Sequence, residues 1–316
     1  MAVTWRTQRN WRWCNKCQGL WFGPNQATSN CPEGGTHSLT GSGNYSLVVN
    51  AAATPVNHQA AWRWCNKCQG LWFGPNQATS NCPEGGTHSL TGSGNYALAN
   101  NVGAGQTGWR WCSKCQGLWF GPNQTTSNCP EGGTHSLTGS GNYRIPIVTS
   151  GVRVHAKVLV YPDISIATLF QNMREVYATR NVDVQWVTEE VLNQPALNIV
   201  DVGSCSGSTT AEQNQLYNNR NFVGTNEIVC YFVQATNPPY NGCASHPPGK
   251  PGSVVVKTAT QWTFAHENGH VLDLNHVNDN NRLMTGNGTA NITNPPPDLV
   301  STEGSTMQAS VLTIPA

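Results

Sequence analysis

From about residue 150 onward, the apolar positions fall into two alternating periods. Val152, Val154, Ala156, Val158 and Val160 alternate with other residues, which is the period-two pattern of a strand. Ile166, Leu169, Phe170, Met173, Val176 and Tyr177 then recur at helical spacing, with Asp163 or Ser165 placed to cap the helix. Val182, Val184 and Trp186 alternate again. Ile228 to Val233 and Ser253 to Val256 read as further strands, separated by a Pro/Gly-rich loop. A helix is expected from about Gln261 to Leu274, and a last one near Ser301 to Ser310. Strands early and helices late predict an α/β or α+β sandwich over residues 148–316.

Before that domain the pattern is a repeat. Residues Trp11 to Tyr45 recur unchanged as Trp62 to Tyr96, and again as Trp109 to Tyr143 with changes only at Ser113 and Thr125. The linkers are rich in small residues and unequal, since the copies are offset by 51 and then 47 residues. Such repeats form beads, a solenoid or the leaves of a trefoil. Unequal linkers and a self-contained set of cysteines favour beads, so small, mainly β modules are expected over 1–50, 51–100 and 101–147, with a trefoil as the runner-up.

Composition narrows the partners. Charged residues are 10% of the 316 and the formal net charge is +1, so nothing in the charge attracts nucleic acid or an anionic membrane. No apolar run approaches the ~20 residues of a membrane span. The opening MAVTWRTQRN lacks the apolar core of a secretory signal.

Twelve Cys and twelve Trp are the unusual counts, and nine of each lie in the repeats. Each copy has the spacing C-x2-C-x13-C-x5-H: Cys14, Cys17, Cys31 and His37; Cys65, Cys68, Cys82 and His88; Cys112, Cys115, Cys129 and His135. Three thiolates and an imidazole satisfy a tetrahedral structural zinc with nothing left over. The alternative is one disulfide and a free thiol per copy. Trp11, Trp13, Trp21 and Phe22 exceed what a 35-residue core can hide, so either some rings face water and stack on sugars or peptide side chains, or all fill a core around the metal. Of the remaining cysteines, Cys205 and Cys243 lie in Gly-containing loops that can accommodate a disulfide, and Cys230 reads as a buried thiol. A Cys205–Cys243 bridge would imply an oxidising, extracellular destination.

The candidate chemistry sits in AHENGHVLDLNH. His266 and His270 lie one above the other on a helix face, and His276 can complete a zinc triad if the chain turns sharply between them. Three protein ligands leave a position for water, and Glu267 is placed to take its proton.

These residues resemble the metzincin zinc-peptidase signature HExxHxxGxxH, and Met284 in RLMTG resembles that clan's Met-turn. The repeats look like a W-x-x-C-x-K-C…C-P-x-G-G-x-H module found in tandem in bacterial proteins, a likeness that brings no activity with it. The metzincin resemblance implies an α+β fold, a twisted mixed sheet with an active-site helix, and a zinc endopeptidase acting on protein or peptide with one catalytic zinc besides any in the repeats; the repeats are read as modules for a substrate, polysaccharide or cell surface. Two departures stand out: Asp273 replaces the usual Gly after the helix, and no Tyr follows the Met-turn in MTGNG. The rival reading is a surface- or carbohydrate-binding repeat protein whose peptidase domain is weak or inactive. The strand at Ser253 to Val256 is expected to line the cleft.

Overall fold

The computed structural model describes residues 6–51 and 54–315. It divides into two compact units with the boundary at Val148/Thr149.

The first unit contains the three repeats, each as a strand pair and a third strand: β1 (Arg6–Trp13), β2 (Leu20–Phe22) and β3 (Tyr45–Val49); β4 (His58–Trp64), β5 (Leu71–Phe73) and β6 (Tyr96–Asn100); β7 (Gln106–Trp111), β8 (Leu118–Phe120) and β9 (Tyr143–Ile145). Each copy is too small to bury a core of its own, and the three pool one. Trp11, Leu20 and Tyr45 of the first copy share a single cluster with Trp62, Leu71 and Tyr96 of the second and Trp109, Leu118 and Tyr143 of the third.

The contacts between copies run in a closed ring. Trp11 meets Tyr96 edge-on at 5.1 Å, Trp62 meets Tyr143 at 5.2 Å, and Trp109 meets Tyr45 at 5.2 Å. The Tyr45 hydroxyl donates to Gln106, that of Tyr96 to Gln8 and that of Tyr143 to Gln59. Backbone bonds close the same circle at 2.9 Å: Phe22 N–H to the Gln69 carbonyl, Phe73 to Gln116 and Phe120 to Gln18. β3 pairs with β6, β6 with β9, and Tyr45 bridges to Ile147. The repeats are therefore leaves of one trefoil and not beads. The linkers differ in length between β3 and β4 and between β6 and β7, while their ends supply Val48, Val49, Gln59 and Gln106 to the ring.

The burial of the tryptophans follows from this pooling. Trp11 and Trp21 and their counterparts are fully buried, while Trp13 and Phe22 are half-buried. A core assembled from three copies hides rings that one copy would leave in water.

The second unit is the expected α+β domain. In chain order it has β10 (Ser150–Val158), α1 (Ile166–Ala178), β11 (Val182–Val191), β12 (Ile199–Asp201), α2 (Ala211–Leu216), β13 (Ile228–Val233), β14 (Ala235–Asn237), β15 (Gly242–Cys243), β16 (Gly252–Val256), α3 (Thr263–Val271), α4 (Ser301–Ala309) and β17 (Ile314–Pro315). The sheet order is β11-β10-β13-β16-β15, parallel as far as β16 and antiparallel at β15, with β17 antiparallel to the start of β10. The α1 cap is Ser165, whose hydroxyl accepts from the Thr168 N–H. β16 is interior, flanked on both sides and buried along its length, so β15 takes the cleft-edge place expected for Ser253–Val256.

α3 is anchored from beneath. Phe264 packs on Phe170 of α1 and Phe232 of β13, and the Tyr177 hydroxyl donates to the Ala265 carbonyl at 2.9 Å. α3 is shorter than the 261–274 expected, because Leu272 ends it.

A polar network spans β10 and its neighbours. The Thr188 hydroxyl donates to His155 Nδ1 at 2.7 Å, and His155 Nε2–H donates to Glu227 at 2.7 Å. Arg153 also pairs with Glu227, and buried Lys157 pairs with Glu190. Burial by itself would raise the Glu227 carboxyl, but the Gly224 N–H, Arg153 and His155 outweigh it and hold the pKa at about 2. Burial lowers the His155 pKa, Glu227 opposing it in part.

Two predictions follow from this architecture. Because the ring is closed, Cys31→Ser should open all three leaves together, and limited proteolysis read by mass should show cuts in every repeat. Cuts confined to the first repeat would restore independent beads. A Glu227 pKa depressed in the folded state stabilises above its unfolded value of about 4.3 and loses that contribution as pH falls toward 2. Denaturant melts of wild type and Glu227→Gln should therefore diverge above pH 5 and converge toward pH 2; a constant gap would exclude this linkage.

Candidate metal centre

α3 carries His266 and His270 one turn apart, and the chain leaves it through a sharp reversal. The Asp273 N–H bonds to the His270 carbonyl and the Leu274 N–H to the Gly269 carbonyl, both at 3.0 Å, with Asp273 in the left-handed region at φ 67°. This is a Schellman turn, the geometry that favours Gly at the position of Asp273. An Asp tolerates it at a cost of roughly 1 kcal/mol, and the turn forms as expected.

The turn delivers His276 to the other two. The three Nε2 atoms lie 3.2, 3.1 and 3.0 Å from one another. His266 Nδ1 sits 2.7 Å from the Leu283 carbonyl and His270 Nδ1 2.7 Å from the Leu274 carbonyl. A carbonyl only accepts, so those Nδ1 atoms carry the protons and both Nε2 atoms present bare lone pairs. Burial lowers the pKa of His266 to about 4 and lowers that of His270, which keeps both rings neutral. Three nitrogens around zinc at about 2.0–2.1 Å would stand roughly 3.3 Å apart, so the triad fits that ion.

Glu267 lies between two openings. One cleft of about 930 Å³ is lined by Glu267, His270, Asp273, Asn275 and His276 together with Ser204–Gly207 and Ala244–His246. A second, of about 290 Å³, lies on the side of Thr263, His266 and Gly286. Both include Tyr240, Gly242, Glu267 and His276. Burial pushes the Glu267 carboxyl up to about 8.

Two glycines make the packing possible. A Cβ on Gly242 would lie 2.5 Å from the Glu267 side chain, so the edge strand comes this close only with Gly there. A Cβ on Gly269 would lie 2.6 Å from Met284 Sδ, and buried Met284 packs beneath α3 between the two helical ligands. Met284 also bonds through its carbonyl to the Val277 N–H, just past His276. Sequence reasoning missed Tyr240 and Gly242. The signal was the NPPYNGC stretch, whose two-residue strand is too short to show a period.

The three repeat clusters are alike. Cys14 Sγ and Cys31 Sγ are 3.9 Å apart, and Cys17 Sγ is 3.5 Å from His37 Nδ1. The corresponding values are 3.9 and 3.5 Å for Cys65–Cys82 and Cys68–His88, and 4.0 and 3.5 Å for Cys112–Cys129 and Cys115–His135. Tetrahedral zinc with Zn–S of about 2.3 Å puts sulfurs about 3.8 Å apart and sulfur about 3.5 Å from nitrogen, so this donor set fits as well. All nine cysteines are free and buried, which removes the one-disulfide-per-repeat alternative. The Ser38 N–H points at Cys14 Sγ at 3.4 Å, and Trp21 stacks on the His37 ring. Bonds to Cys14 and Cys31, then burial, hold the Cys17 thiol well above its usual range.

The structure bridges Cys205 to Cys243, with Cα atoms 5.6 Å apart, and ties the 204–207 wall of the cleft to β15. Cys230 is a buried free thiol. No helix among the described residues is long and apolar enough to cross a membrane.

No family model and no curated protein matches the sequence. Among solved structures, the chain is similar to archaemetzincin from Methanopyrus kandleri, at 14% identity and a TM-score of 0.35 over 50% of this chain and 94% of that one. It is also similar to a zinc-dependent peptidase from Methanocorpusculum labreanum, at 11% identity and a TM-score of 0.30 over 49% of this chain and 99% of that one. Likenesses at this level say nothing of what the chain does.

The donor sets predict a metal count. Native mass spectrometry of the full chain should give one zinc for each of the four clusters, and His270→Ala should lose one of them. A wild-type chain carrying a single zinc would mean that the repeats bind none.

Proposed function

We propose that the chain is a zinc endopeptidase of metzincin type, with the trefoil as its targeting or binding unit. One observation carries the reading: three imidazole nitrogens converge within 3.2 Å beside a buried carboxyl, in a cleft open to solvent. His266, His270 and His276 would hold the zinc, which when bound supplies a Lewis acid for a water and for the scissile carbonyl. Glu267, ionised against its burial by the cation the triad would hold, accepts a proton on a carboxyl oxygen and returns it to the leaving amine. β15 has no strand on its outer side among the described residues, so an extended substrate can pair with it where Gly242 leaves room above Glu267.

Cys14, Cys17, Cys31 and His37, with the equivalent sets, would hold three structural zinc ions. The trefoil's ligand on this reading is a polysaccharide or a cell surface, and not nucleic acid. Its threefold outer face supports that, since Leu39, Leu90 and Leu137 are exposed at equivalent places and half-buried Trp13, Trp64 and Trp111 lie beside Gly41, Gly92 and Gly139. The Cys205–Cys243 bridge favours a destination outside the cell.

Glu267→Gln tests the mechanism. The variant should keep its metal and its melting temperature while hydrolysis of a generic protein such as casein falls by about 10²–10⁴. Chelator should abolish wild-type hydrolysis. A variant as fast as wild type would exclude this peptidase.

A further inference from the structure

Asp273 is unfavourable twice over where it stands. Its φ of 67° lies in the left-handed region that favours Gly. Its charge sits just past the C-terminal end of α3, where the helix dipole favours a cation. Nothing local repays either: the side chain is exposed, and among the described residues no group donates a hydrogen bond or ion pair to its carboxylate. Nor is it a fourth metal donor, since the group whose ligand atoms gather is His266, His270 and His276 alone. Residues held against their preferences collect at functional sites, and this one lines the larger cleft.

That cleft makes the carboxylate count. Its lining also includes Ser204, Ser206, Ser245 and His246, and neither Lys nor Arg lines it anywhere. An anion uncompensated by the protein, beside the candidate metal centre and in a space of about 930 Å³, is complementary to a cation brought by the substrate. We propose that Asp273 forms a subsite for a basic side chain, so that the peptidase prefers substrates carrying Arg or Lys near the cleaved bond. This rests on the peptidase reading above.

The test separates binding from turnover. Peptides of one sequence, with Arg or its neutral isostere citrulline at each position in turn, are bound to the zinc-loaded full chain carrying Glu267→Gln, and affinity is read by fluorescence anisotropy. At one position Arg should bind roughly two- to fivefold more tightly than citrulline, less so as salt rises. Adding Asp273→Asn should erase that difference, and so should Asp273→Gly, which removes the charge while relaxing the turn. With Glu267 intact, the ratio of cleavage rates for the same peptide pair should fall in parallel. Equal binding of Arg and citrulline peptides, or a preference that survives both substitutions, overturns the subsite. If the preference is present and lost as expected but wild type cleaves no peptide, the subsite stands and the peptidase reading falls. Cleavage of peptides without basic preference overturns the subsite alone.

Discussion

Lone pairs that point at one another are tolerable in a folded protein only around a cation, and both units of this chain are organised about that fact. In the second unit the convergence needs helix, turn and loop together. α3 places two imidazoles, the Schellman turn swings the third into line, and the backbone carbonyls of Leu283 and Leu274 dictate which nitrogen of two rings is bare. Leu274 serves twice, since its N–H closes the turn and its carbonyl orients His270. Met284 and Gly269 then pack beneath the helix, with no space for a methyl group between them.

In the trefoil the same demand is tied to closure of the ring. Gln18 directly follows the donor Cys17 in a left-handed conformation. Its side chain accepts from Trp13 of its own leaf and from Asn123 of another, and its carbonyl accepts the Phe120 N–H. The donor cluster and the joint between leaves thus share one residue, repeated as Gln69 and Gln116. A leaf whose donor loop is unformed loses this joint to its neighbours.

Much of this was legible along the chain. The alternation through Val152–Val158 and the helical spacing of Ile166–Tyr177 report burial on one face, which is a local property of sequence. The spacing of His266, His270 and His276 is local too, and so is the sharp turn that Asp273 supports. Ring closure was hidden because its partners are distant and identical in every copy: Tyr45 reaches Gln106, Tyr96 reaches Gln8, and nothing in one repeat says which other repeat it will meet. Linker length misled because the difference falls between the strands, while the linker ends, Gln59 and Gln106 among them, still take part in the joints. β15 escaped notice since two residues show no period, and the role of Gly242 depends on a glutamate that lies far along the chain.

The chain holds sulfur in two states that ask for opposite conditions. Cys205 and Cys243 are oxidised to one another, while nine thiols lie in groups with sulfurs about 4 Å apart, close enough to pair wrongly once nothing lies between them. A thiolate bound to metal resists oxidation, and a bare cluster in an oxidising compartment does not. On the zinc reading proposed above, the clusters would have to be filled with metal while their surroundings are still reducing, before an oxidant able to close the bridge beside the cleft could reach them. On that reading, a chain that met oxidant first would carry disulfides inside its leaves where metal would otherwise sit, however sound its helix α3.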